Sequence, residues 1–170
     1  MKSTRFLLPL MACLFALVAC EEKDTSSYPP TWKGLDLSSK TVHPGDSIRA
    51  TACQDLKGHL INSTFYIWTL TCDTVSENGV TASYEDKHSV HTNYDGLDNS
   101  DPSYTFKVPQ NAVGQGRIGF EAKYNYSGAG IQVWNGDTYE GGSSMAGYIH
   151  STSGSISGGA TGSASFRIAN

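Results

Sequence analysis

The chain has 170 residues, room for one ordinary domain, and an aromatic fraction of 11% against a charged fraction of 16% excludes an intrinsically disordered chain. Its richness in Ser, Thr, Tyr and Gly, with 18 glycines, is wrong for a helical bundle, which draws about half of its residues from Ala, Glu, Lys, Leu and Arg. The formal net charge is −4 and the basic residues are scattered singly, so no nucleic-acid partner is expected.

The chain opens with the parts of an export signal: Lys2 and Arg5, an apolar run over 6–18, and small residues before a cleavage point. That run is too short to stay in a bilayer and is interrupted by Pro9, so residues 1–19 are expected to be a removable leader. The segment Leu17-Val18-Ala19-Cys20 resembles the lipobox of bacterial lipoproteins. The resemblance implies a lipidated (palmitate-type) Cys20, a tether over 20–30 and one domain over 31–170, held to the membrane through acyl chains. Glu21-Glu22-Lys23-Asp24 resembles the acidic tag of surface lipoproteins of the Bacteroidota, which implies an outer-membrane protein facing the cell exterior. Loss of Lys2 and Arg5 would leave ten basic against sixteen acidic residues, a net charge of −6.

With Cys13 in the leader and Cys20 lipidated, Cys53 and Cys72 remain as a pair in an oxidising compartment. A disulfide between them is the expectation, with two buried free thiols as the alternative. The first strand signal follows the turn-like Pro44-Gly45-Asp46, where residues 47–54 alternate at a period of two. Residues 64–72 are β-branched and aromatic with apolar side chains on both faces, as in a central strand. A strand over 103–108 is closed by Pro109, and the clearest alternation follows over 117–126. There Ile118, Phe120, Ala122, Tyr124 and Tyr126 share one face and Arg117, Glu121, Lys123 and Asn125 the other. A strand over 164–168 ends the chain, and weaker signals lie at 34–37, 80–84, 89–92 and 145–150. Residues 128–162 hold ten of the glycines and read as a long loop or as a Gly/Ser-rich hairpin.

Short strands without a long helical period predict an all-β sandwich or barrel. The order of Pro44-Gly45-Asp46, an alternating strand, an aromatic strand at Tyr66-Ile67-Trp68, Tyr104 to Pro109, Gly114-Gln115-Gly116 and a second alternating strand resembles the immunoglobulin-like β-sandwich modules of bacterial surface lipoproteins. Over 34–128 the resemblance implies Trp68 as the core tryptophan, faced by Ile118, Phe120 and Ala122. Cys72 departs from it, because the usual second cysteine sits on the late alternating strand.

Asp95, Asp98, Asn99 and Asp101 could supply part of a Ca²⁺ shell, although their spacing is not that of an EF-hand and Asx-rich turns have the same composition. No other cofactor is expected. His88 and His91 stand three apart in an extended segment and so face apart, as edge histidines and not as a metal pair. No Gly-x-Ser-x-Gly elbow or phosphate-binding loop occurs, and an enzyme is not expected. Trp134 and Tyr139, flanking Asn135-Gly136-Asp137, and Trp32 at the end of the tether could grip a sugar by stacking; the alternative is that these rings cap the core. Three functions follow in order: a non-catalytic interaction or structural module whose partner is a cell-surface protein or polysaccharide, a glycan-binding lipoprotein, and a hydrolase on a sandwich scaffold.

Overall fold

The computed structural model describes residues 30–59, 61–93, 101–126, 138–139, 143–152 and 155–170. Ten strands follow one another without a helix among these residues: β1 (Thr31–Leu37), β2 (Thr41–Val42), β3 (Ser47–Leu56), β4 (Ile61–Val75), β5 (Thr81–Asn93), β6 (Ser103–Lys107), β7 (Ala112–Tyr126), β8 (Thr138–Tyr139), β9 (Ser143–Thr152) and β10 (Ser155–Ile168). They build a small sheet ordered β1-β3-β6 and a larger one ordered β5-β4-β7-β10-β9-β8. The short β2 runs parallel to the end of β10, with Thr41 opposite Arg167 and Val42 opposite Ile168.

Period-two alternation explains why the sheets face each other. On β7, Ile118, Phe120, Ala122 and Tyr124 are buried, and on β4 the same face carries Tyr66, Trp68, Leu70 and Cys72. These meet Ile48, Ala50 and Ala52 of β3 and Phe106 of β6 in one apolar core, so each strand presents every second residue to it. Trp68 and Phe120 lie 4.5 Å apart between ring centroids at its centre. Such a ring pair adds about 0.5–1.5 kcal/mol to the burial of its surface.

Pro44-Gly45-Asp46 does turn the chain. Gly45 has φ of +86°, and a Cβ there would meet the Gln110 side chain. Only glycine adopts this conformation without strain. The Gly45 N–H donates to the Val108 carbonyl and the Val108 N–H to the Asp46 carbonyl, which fastens this turn to the end of β6.

Of the two readings of the Gly/Ser-rich segment, the hairpin holds for its second half, because β9 and β10 pair antiparallel from Ser143 opposite Ala164 to Thr152 opposite Ser155. The weak signals at 80–84 and 89–92 belong to one strand, β5, at the edge of the large sheet.

Candidate functional site

The outer face of the large sheet is as regular as its inner one. Register places Lys87 of β5, Thr69 of β4, Gly119 of β7 and Ser163 of β10 side by side in one row across four strands. On one flank the row is Ser89, Ile67, Glu121 and Thr161, and on the other Glu85, Thr71, Arg117 and Ser165. Because Gly119 has no side chain and its neighbours are small, a depression of about 310 Å³ opens over it, lined by Thr69, Thr71, Lys87, Arg117, Glu121 and Ser163 with Ile67 below. Ile67 is buried yet stands apart from the apolar core, as an outward-facing floor residue should.

A second depression of about 280 Å³ shares Thr71 and Arg117 with the first and continues along the strands to Asp73 and Ser83. From Ile67 to Asp73 the pair spans about 20 Å at the rise of a β-strand. Arg117 stands between them, donating from Nη2 to the Ser163 hydroxyl at 2.8 Å, and the Thr71 hydroxyl donates to the Arg117 carbonyl at 3.4 Å. Glu121 is engaged by Lys123 at 3.2 Å. Among the described residues neither Lys87 nor Arg117 has a carboxylate within 4.0 Å. None of the residues lining the first depression stood out in the sequence as a site, and of those lining the second Cys72 was expected only as a disulfide partner; the available signal was Gly119, a glycine on the polar side of a clean alternation.

The residues singled out from sequence fall elsewhere. Trp32 is a correction: it belongs to β1, not to a tether, and is only 4% exposed. Its ring packs edge-on against Phe120 at 5.2 Å and Tyr66 at 6.5 Å, so it is a core residue and cannot stack on a sugar. Trp134 lies outside the described residues, and Tyr139 falls in β8 opposite Ser143. Asp95, Asp98 and Asn99 also lie outside them, as does Cys20. Asp101 accepts a hydrogen bond from the Gln54 N–H at 2.9 Å, a partner that ties the β6 approach to β3. Among the described residues no group of three or more His, Cys, Asp or Glu could hold a metal.

The expected disulfide is a second correction. Cys53 and Cys72 are both free, on different sheets. Parity keeps them apart: Cys72 lies on the inner face of β4, whereas Cys53 follows the buried Ala52 and so faces outward, its thiol donating to the Asp36 carboxylate at 3.3 Å. Burial, reinforced by Asp36, pushes the Cys53 thiol up to about 11, and burial also raises Cys72. Neither is a ready thiolate nucleophile at neutral pH. His88 stacks on Tyr104 at 4.0 Å, while His91 lies 6.3 Å from Phe65 on the outer face, so the two histidines do point apart.

No family model, no curated protein and no solved structure matches this chain.

Proposed function

We propose that the chain is a lipid-anchored, non-catalytic binding module on the exterior of a bacterial outer membrane, built on an immunoglobulin-like sandwich. The observation that carries the reading is the outer face of the large sheet, where strands of 13 to 15 residues present a polar surface with two joined depressions. Such a surface can hold a partner by many weak contacts, and an open sheet face leaves a substrate in contact with water.

The immunoglobulin-like assignment is supported by strand order. The order β1-β3-β6 is like that of strands A, B and E, and the order β5-β4-β7-β10 like that of C′, C, F and G. The departure is β8 and β9, which extend the sheet beyond β10. Support for the anchor is the likeness of Leu17-Val18-Ala19-Cys20 to a lipobox and the ten residues that separate Cys20 from β1. The partner is a polysaccharide or protein at that surface.

The full chain, expressed in a bacterium of the Bacteroidota, tests the reading. It should incorporate an alkyne-labelled palmitate, lose the label in Cys20→Ala, and be removed from intact cells by added protease. A polysaccharide panel should yield no new reducing ends. Label retained in Cys20→Ala, protection from protease, or release of reducing ends would each overturn it.

A further inference from the structure

Gly119 sits in the middle of β7, paired on both sides, with Thr69 on one and Ser163 on the other. Glycine weakens a strand interior, so it is ordinarily explained by a left-handed φ or by a neighbour that leaves no room for a Cβ. Neither applies here: Gly119 is not among the glycines with positive φ, and a Cβ built on it would meet nothing closer than Thr69 at 3.9 Å. Gly116, three positions along β7 and on its inner face, is the contrast, because its Cβ would run into the Phe166 ring. The fold requires Gly116 and does not require Gly119. What the missing side chain provides is the depression above it.

The chemistry around that depression identifies its occupant. Hydroxyls of Thr69, Thr71 and Ser163 can donate or accept, and Lys87 and Arg117 bring two cations without a carboxylate partner among the described residues. Glu121 is offset by Lys123, Glu85 stands beyond Thr71 at the rim, and Asp73 lines the far end of the second depression, so the two cations act at the Gly119 end. The whole chain is acidic, so these cations stand against its net charge. A peptide is a poor match: the central strands have their backbone groups paired on both sides, which precludes an added strand, and Ile67 is a small apolar anchor for a protein interface. A hydroxyl-rich anion satisfies the donors, the acceptors and the charge together.

We propose that the groove over Gly119 and Arg117 binds an acidic polysaccharide, with Lys87 and Arg117 on its carboxylate or sulfate groups and Thr69, Thr71 and Ser163 on its hydroxyls. The joined second depression, with Arg117 between the two, extends the groove toward Ser83 and Asp73, where a further sugar ring meets polar groups through its hydroxyls and the acidic groups stay at the Lys87 and Arg117 end. The inference rests on the binding-module reading and names its ligand class.

The test is titration of the full chain in detergent with polygalacturonate, dextran sulfate, neutral dextran and polyglutamate. Saturable binding is expected for one or both acidic polysaccharides, and the stronger of the two identifies uronate or sulfate. Gly119→Val, which fills the groove, and Arg117→Gln should each weaken it about tenfold or more. Thermal melts identify a variant that has lost its fold, and Gly119→Ala supplies a smaller filling. Absence of binding to both acidic polymers, equal binding to polyglutamate, or affinity unchanged in folded Gly119→Val and Arg117→Gln would each overturn the proposal. Those results leave palmitate labelling and the absence of turnover untouched, so the two readings fail separately.

Discussion

The Trp32 indole N–H donates to the Tyr124 hydroxyl at 2.9 Å, joining β1 of the small sheet to β7 of the large one across 92 residues of sequence. Both rings are buried, so neither polar atom can turn to solvent. Tyr124→Phe removes the acceptor and leaves the N–H unpaired in the core, which should cost about 1–3 kcal/mol in urea unfolding. Trp32→Ala should cost about 3–5 kcal/mol, because a cavity opens between Phe120 and Tyr66. A near-zero loss in Tyr124→Phe would mean that the indole has another acceptor.

Cys53 and Cys72 should be recovered as separate thiols by peptide mapping of unreduced protein, and reductant should leave the unfolding temperature unchanged. Above pH 9 stability should fall. The Cys53 thiol ionises near 9.0 when free and near about 11 when folded, so the unfolded chain releases its proton first. The contribution is full below 9 and is lost as the pH rises through about 11. Cys53→Ala should flatten this part of the profile, and an unchanged profile would refute the Asp36 contact as its cause.

The core was legible where alternation is strong. Ile118, Phe120, Ala122 and Tyr124 were expected on one face of a strand, and all four are buried. The strand over 64–72 is real but longer, Ile61–Val75, because its polar ends still pair with β5 and β7. The sequence signal of β5 breaks in two, since the intervening Glu85, Asp86 and Lys87 carry no apolar signal and an edge strand needs little. For β10 only the end gives a clear signal, because the buried residues along its middle are Ala160 and Ala164 among glycines, small residues that barely register as hydrophobic. Trp32 is hidden from sequence reading by its neighbours, Pro29 and Pro30, which resemble a tether more than the start of a strand. The row Lys87, Thr69, Gly119 and Ser163 depends on which strands lie side by side, and that information is not in any one of them.

Gly116 and Gly119 should respond in opposite directions to the same substitution. Gly119→Ala adds a methyl group where there is room and removes the entropic cost of glycine in a strand, a gain of about 0.5–1 kcal/mol. Gly116→Ala forces a Cβ onto the Phe166 ring, a loss of about 1–3 kcal/mol. Chemical denaturation of the two variants checks the pair. A destabilised Gly119→Ala would mean that the fold itself needs this glycine, and the groove would lose its explanation.

Thr64 is fully buried on the inner face of β4, between Thr92 of β5 and Tyr124 of β7, and its Oγ1 has no hydrogen-bond partner among the described residues. An unpaired buried hydroxyl costs about 1–3 kcal/mol, and valine keeps the shape without the polar atom. Thr64→Val should therefore raise stability by about 1–2 kcal/mol. Thr64→Ser keeps the hydroxyl and removes a packed methyl group, so it should lose about 1 kcal/mol. The side chain points away from Thr69, Gly119 and Ser163, so neither variant should alter affinity for an acidic polysaccharide. A loss of stability in Thr64→Val would show that the hydroxyl is bonded after all, and a buried water would be the partner to seek.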